Sequence, residues 1–325
     1  MKAIQVAKTG GLDVLTVSSA VSRPTAASLA PGQVLVRNAF SGVNFIDTYH
    51  RTGLYTLPLP FIPGREGAGV VEAVAPDVQH VAVGDRVAWL GPGSYAQYTA
   101  VNGIHVAKLP AGVSEETGAA ALLQGLTALS LVNLAYKVQV GDTVLVHAAA
   151  GGTGGLLVQL AKLRGATVLA TTSSDAKAAE AKRLGADHVI RYDKEGIAER
   201  VRELTNGKGV QAVFDGVGKA TFEASLASLA RRGFLLTFGN ASGKVPELDL
   251  LRLSKGCVYV ARPTLFEYIK TADEFNELAS ELFSLLAVKK LEIRVHAKFS
   301  LEQVAEAHKE IEAGKTVGKI LLTID

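Results

Sequence analysis

The sequence predicts an α/β fold, a doubly wound parallel sheet joined to a second, β-rich domain, and three observations carry that prediction. The first is residues 144–164, VLVHAAAGGTGGLLVQLAKLR, where a β-branched apolar run, a glycine-packed turn and the start of an amphipathic helix follow one another. The second is the regular alternation that continues from there: strands at 167–171, 187–191, 210–215 and 233–238, helices at 175–184, 197–205 and 221–229. Repeated units of this size give a parallel sheet with helices on both faces. The third is the contrast with the front of the chain, where short strands at 33–38, 69–74, 85–88 and 95–101 are punctuated by PG, GD and GPG turns.

The glycine turn is Ala149, Ala150, Gly151, Gly152, Thr153, Gly154 and Gly155, which reads A-x-x-G-x-G from Ala149. In such a turn the glycines let the backbone approach a pyrophosphate, and the amides and dipole of the following helix hold its charge. Glycine-rich loops also join strands to helices for steric reasons alone, so the turn gains its meaning from the alternation behind it. Ligands of these sheets lie at the carboxyl ends of the strands. That places the turn, residues 172–174, Tyr192, residues 216–218 and residues 239–240 along one rim.

After the alternating segment the tail carries helices at 271–286 and 301–313 and a strand at 319–324. The expected division is therefore 1–121 with 262–325 as one domain and 122–261 as the dinucleotide-binding domain, with reacting groups in a cleft between them. A chain of 325 residues is long enough for two cores. Although 48% of its residues are hydrophobic, no unbroken apolar run reaches the ~18–20 residues of a membrane span. The start, MKAIQVAKTGG, reads as a first strand and not a signal region, so a cytoplasmic location is expected. Cys257 is the only cysteine, which excludes an internal disulfide and any cysteine-cluster metal site. The 34 basic and 31 acidic residues are interspersed, and a net charge of +3 gives no stripe for nucleic acid.

Seven motifs in order, GVNFID (42–47), PGREGAG (63–69), GDRV (84–87), LLQGLTA (122–128), HAAAGGTGG (147–155), RLGADHVI (183–190) and FGNASG (238–243), span essentially the whole chain. Together they resemble the zinc-free, zeta-crystallin-like quinone oxidoreductase branch of the medium-chain dehydrogenase/reductase superfamily. The resemblance implies a GroES-like β-rich catalytic domain joined to a Rossmann domain, NADPH as cofactor and a quinone as acceptor. It also implies that Asn44, Asp47, Tyr49 and Tyr55 line the nicotinamide and quinone pocket with Gln124 and Thr127. Where the zinc enzymes of that superfamily place a cysteine this chain has Asn44, and where they place a histidine it has Arg65 before Glu66. LLQGLT offers no cysteine, and only residues 88–93 separate GDRV from SYAQY, too few for the structural zinc lobe. Zinc needs nitrogen or sulfur ligands, so a metal-free site is expected. Such a site suits acceptors that carry their own driving force.

Several residues keep two readings. Asp47 fits a helix cap as well as the pocket, each tyrosine fits a half-buried aromatic, and Arg65 and Glu66 fit pairing with each other or with Asp47. At the end of the second Rossmann strand, Thr171 to Ser174 and then Lys177 replace the carboxylate that would favour NADH. Ser173, Lys177 and Tyr192 therefore point to the 2′-phosphate of NADPH, with Asp175 as the discordant residue, read as the helix N-cap. Phe238, Gly239, Asn240, Ser242 and Arg262 resemble the family's later cofactor contacts, and Lys319 in GKILL a position near the cofactor. Gly151, Gly152, Thr153 and Gly154 complete the cofactor set. His147 reads as a buried structural histidine. Residues 257–263, CVYVARP, read as an edge strand that, by resemblance, pairs across a homodimer. The nearest alternative is an NADPH-dependent reductase of 2-alkenals or 2-enoyl thioesters with Tyr55 as proton donor. A different class is an RNA-binding or structural role, which the balanced charge disfavours.

Overall fold

The computed structural model describes all 325 residues. They form two compact units, Met1–Gln124 with Ile269–Asp325, and Gly125–Tyr268. The chain leaves the first unit three residues later than the sequence suggests, within a helix, Glu115–Ser130, that runs across both positions. It returns seven residues later, with Arg262 still in the second unit: its guanidinium donates to the carbonyls of Thr237 and Gly239 at 3.0 Å.

The first unit begins with an antiparallel pair, β1 (Ala3–Gln5) and β2 (Thr16–Ser18). It continues through β3 (Gln33–Val43), α1 (Phe45–Thr52), β4 (Glu66–Val74), β5 (Arg86–Leu90), β6 (Tyr98–Asn102) and β7 (Val106–Lys108) to α2 (Glu115–Ser130). The tail of the chain later supplies two helices and two strands to this unit, as described below. β3 is the organising strand. It pairs antiparallel with β4 and β6, and two bulges, at Leu35/Val36 and Asn38/Phe40, re-aim its second half. Its apolar residues Val34, Val36 and Val43 are buried in two cores, one around Trp89, the other around Ile4 and Tyr95. Full burial of one such side chain contributes about 1.5–3 kcal/mol.

Helix α2 with its π-helical turn, Leu131–Ala135, is long and apolar enough to cross a membrane by length and composition. However, 72% of its most apolar window is buried inside the protein, which is the pattern of a core helix. The second unit then follows: β8 (Thr143–Val146), α3 (Gly152–Leu163), β9 (Thr167–Thr172), α4 (Asp175–Arg183), β10 (His188–Arg191), α5 (Ile197–Leu204), β11 (Val210–Asp215), α6 (Phe222–Ala227), β12 (Leu229–Thr237) and β13 (Tyr259–Ala261). Its sheet has the order β10-β9-β8-β11-β12-β13 and every pairing is parallel. This is the doubly wound Rossmann order, whose topological switch lies between β8 and β11. Leu145, Leu169, Val213, Phe222 and Leu235 form its core.

Two expectations here need correction. β12 starts at Leu229, inside the expected helix, because Leu229 pairs with Val210 before a bulge in which Arg232 takes a φ of 63°. The edge strand read at 257–263 is real but covers only Tyr259–Ala261, since Cys257 has a φ of 48° and lies in a turn.

The tail supplies α7 (Ala272–Ala287), β14 (Val295–Ser300), α8 (Val304–Glu312) and β15 (Lys319–Thr323). The helix expected at 301–313 opens with a 3₁₀ turn, Leu301–Gln303, closed by a capping box between Ser300 and Gln303. β15 joins the first unit's sheet beside β3, with Ile320 opposite Val43.

Candidate active site

The register just described brings three polar residues together at neighbouring strand ends. Ser41 on β3 lies opposite Gly67 on β4, and Val43 opposite Ile320 on β15. Glu66, Asn44 and Lys319 are the next residues out, and all three side chains are buried. Asn44 Nδ2 donates to Glu66 Oε1 at 2.7 Å, Lys319 Nζ donates to Asn44 Oδ1 at 2.7 Å, and Lys319 forms an ion pair with Glu66. The second Glu66 oxygen accepts the Leu123 amide of α2 at 2.8 Å. Gly42 makes the approach possible, because a Cβ there would collide with Glu66 Oε1 and with the Ala119 carbonyl of α2. Lys319, expected among the cofactor contacts, thus assembles with Asn44 and Glu66. Glu66 is paired with Lys319 and not with Arg65 or Asp47.

Asp47 is fully buried and is the N3 residue of α1. Its Oδ2 accepts the Asn44 amide and the Tyr95 hydroxyl, both at 2.9 Å, and Asn44 and Asp47 form a capping box. The cap reading of Asp47 is therefore satisfied in the structure. Burial pushes its carboxyl up to about 7, against the opposing effects of the Asn44 amide, the Tyr95 hydroxyl and the Lys319 charge. Its other oxygen, Oδ1, is buried without a hydrogen-bond partner, as suits a carboxyl that is neutral at lower pH. Behind it a buried chain continues. Tyr95 Oη lies 3.2 Å from His308 Nε2, His308 Nδ1 lies 3.5 Å from Arg51, and Arg51 pairs with Glu312 at 2.6 Å. Since Tyr95 donates to Asp47, its oxygen accepts from Nε2–H, which fixes the neutral His308 tautomer. Burial, and then the Arg51 charge, push His308 down to about 3. None of Tyr95, His308 and Arg51 carries a local sequence signal.

The two tyrosines stand beside this cluster. Tyr49 is buried and Tyr55 half-buried, with ring centroids 5.3 Å apart in an edge-to-face arrangement. His50 is held down to about 4 by burial and then by the Arg65 charge. Of the remaining pocket candidates, Gln124 is the last residue of the first unit and Thr127 belongs to the second.

In the second unit the cofactor candidates lie along the carboxyl rim. Gly151 is the N-cap of α3 in extended conformation, with no side chain to satisfy the helix amides. Gly151, Gly152 and Thr153 are half-buried, whereas Gly154 is buried and allows α3 to pack against the turn, since a Cβ would collide with the Ala148 carbonyl. At the end of β9, Thr172 Oγ1 is buried without a partner. Ser174, not Asp175, is the N-cap of α4 and accepts the Lys177 amide at 3.3 Å. Ser174 keeps extended dihedrals (φ −155°, ψ 158°) while Asp175 is the first helical residue. Asp175 instead pairs with Arg191 at the end of β10. Ser173 and Lys177 are half-buried, with the Lys177 ammonium pushed down by burial, and Tyr192 is exposed. Between β11 and α6, buried Asp215 accepts the amides of Val217 and Gly218 at 2.8 and 3.0 Å and the hydroxyls of Thr221 and Ser225. Phe238 packs over Gly216, whose Cβ would lie 2.9 Å from its ring, and the Asn240 carbonyl accepts the Gly243 amide at 2.9 Å. His147 bridges Thr171 and Ser225 at 2.9 Å on each side, a structural role.

These residues fit a phosphorylated dinucleotide: free helix amides, an orphaned threonine hydroxyl and a half-buried lysine line one rim. They do not fit zinc. Nowhere do three His, Cys, Asp or Glu side chains converge in a way that could hold a metal ion, and the carboxylate of Glu66 is committed to Lys319.

Residues 152–284 match the family described as Zinc-binding dehydrogenase, and residues 30–111 match the Alcohol dehydrogenase GroES-like domain. A probable quinone oxidoreductase of Schizosaccharomyces pombe is 45% identical over 98% of this chain and 96% of its own. The solved structure of Escherichia coli quinone oxidoreductase complexed with NADPH is 39% identical, with a TM-score of 0.95 over 99% of this chain and 100% of the other. A 2-haloacrylate reductase of a Burkholderia species is 39% identical over 91% of this chain and 92% of its own.

Proposed function

The chain belongs to the quinone oxidoreductase family of the medium-chain dehydrogenase/reductase superfamily, and on that premise we propose that it oxidises NADPH and passes the reducing equivalents to a quinone. The observation that carries this is the 45% identity to a quinone oxidoreductase over 98% of the chain, a span that includes the glycine turn, Asn44 and Glu66.

NADPH, when bound, supplies the hydride. Gly151, Gly152 and Thr153 with the α3 amides would hold the pyrophosphate, and Thr172, Ser173, Lys177 and Tyr192 the 2′-phosphate. Phe238 and Asn240 would shape the far wall of the rim. In the first unit, Lys319 and Glu66 lock the Asn44 amide in place, so that its position costs no reorganisation when a ligand arrives. Tyr49 and Tyr55 supply flat apolar surface for an aromatic acceptor. A quinone takes the charge on oxygen and collects its protons afterwards, so no positioned acid is required. The exposed edge of β13 would pair with its copy across a two-fold to give a homodimer, and NADPH-driven turnover points to the cytoplasm.

The Burkholderia relative supports a second reading, reduction of an activated alkene. A carbanion-like centre there benefits from a positioned acid, and in this reading the Tyr55 hydroxyl supplies it. NADPH consumption measured with a panel of quinones, 2-alkenals and 2-haloacrylate separates the two. With a quinone as the real substrate, Tyr55→Phe lowers turnover only modestly. Alkene turnover above quinone turnover in the parent enzyme, reduced ~100-fold or more in Tyr55→Phe, would show the alkene to be the substrate.

A further inference from the structure

Arg191 ends β10 beside Thr172, its register partner on β9, and so stands at the rim where the adenosine end of a cofactor is read. Along one edge its guanidinium is held by Asp193, with Nε to Oδ1 at 2.8 Å and Nη2 to Oδ2 at 2.7 Å. The remaining terminal nitrogen, Nη1, donates to Asp175, the first residue of α4. Lys194 Nζ approaches the same carboxylate at 3.6 Å. The Asp175 side chain is 85% exposed, whereas that of Arg191 is only 14% exposed. An anion that is almost entirely in water therefore sits between two cations, one of them pre-oriented, and that cation's register partner, Thr172, has a hydroxyl that is buried without a partner.

We propose that Asp175 is an internal stand-in for the 2′-phosphate: the phosphate of NADPH displaces it from Arg191, so the Asp175–Arg191 pair sets cofactor preference. The proposal rests on the reading of this chain as an NADP(H) enzyme. A phosphate brings more charge and more acceptor oxygens than a carboxylate and matches the guanidinium fork as well. Exposed ion pairs hold weakly, so Asp175 is easily released. Once displaced it remains a nearby negative charge, which makes it a brake on NADPH affinity. NADH carries a hydroxyl in place of the phosphate and leaves the pair closed. Lys177 contributes to phosphate affinity in either state of the pair, whereas Arg191 contributes only after Asp175 has moved.

Equilibrium titrations of the full chain with NADPH, NADH, adenosine 2′,5′-bisphosphate and AMP test this without turnover. Asp175→Asn should tighten NADPH and the bisphosphate roughly 3- to 10-fold while AMP and NADH stay within about 2-fold, since the phosphate then has no ion pair to break and no displaced carboxylate beside it. Arg191→Gln should weaken NADPH and the bisphosphate by roughly 10-fold or more, again sparing AMP, whose unchanged binding reports an intact rim. In the Arg191→Gln background the Asp175→Asn gain should disappear. Unchanged or weaker NADPH binding in Asp175→Asn, with parent binding normal, overturns the exchange alone, as does a gain that persists without Arg191. A parent chain that does not distinguish NADPH from NADH overturns the cofactor reading and this proposal together.

Discussion

The substitution Asp47→Asn should change how the stability of the first unit depends on pH. Burial raises the Asp47 carboxyl from 3.8 to about 7, a difference of 7 − 3.8 = 3.2. At about 1.36 kcal/mol per pH unit the full cost is about 4 kcal/mol. The unfolded chain releases this proton above 3.8 while the folded chain keeps it to about 7. The unfolded state therefore binds fewer protons in that window, and stability falls as pH rises through it. From pH 5 to 8 the accessible part is the interval from 5 to about 7, or about 3 kcal/mol. The amide of the variant would keep an oxygen to accept the Asn44 amide and the Tyr95 hydroxyl but would not titrate. Urea unfolding followed by fluorescence suits the measurement, because Trp89, the only tryptophan, is fully buried in the same unit. At a urea slope of about 2 kcal/mol/M, the variant should gain about 1–1.5 M in midpoint over the parent on going from pH 5 to 8. A parent-to-variant difference that stays constant between those pH values would refute the assignment of a neutral buried Asp47.

Two further outcomes follow from the geometry. Lys319→Met leaves the fully buried Glu66 carboxylate without its cation and should cost about 3–5 kcal/mol in the same unfolding assay. Adding Glu66→Gln should recover a large part of that loss, and a double variant no better than the single one would mean that the pair is not what holds the site. Lys177→Ala should weaken NADPH by the roughly 1.5–3 kcal/mol of one charge-assisted hydrogen bond while NADH binding is almost untouched, and equal losses in titrations of the two cofactors would contradict the 2′-phosphate role.

The Rossmann half is legible in the sequence because its signals are local. Each strand end, turn and helix start lies within a few consecutive residues, and a phosphate is held by the backbone of one contiguous turn. Even there the finer choice between Ser174 and Asp175 as cap escapes the sequence: both residue types cap helices, and only the dihedrals at Ser174 decide. The capping box of Asn44 and Asp47 is visible as two cap-forming residues three apart, but the full burial of Asp47 is not. The reactive half is another matter. Glu66 and Lys319 meet although they are 253 residues apart, because β15 inserts beside β3 in one register and β4 pairs with β3 in another. A shift of one residue in either pairing would turn one of these side chains to the opposite face of the sheet. No local pattern in GKILL or PGREGAG carries that information. Resemblance groups Lys319 with the cofactor contacts, and in the structure two of the three donors of its ammonium are directed at Asn44 and Glu66 within its own unit. By orienting the Asn44 amide, Lys319 would also act on a bound ligand indirectly. A residue acting in this way should alter how well the ligand is positioned more than how strongly its phosphates are held.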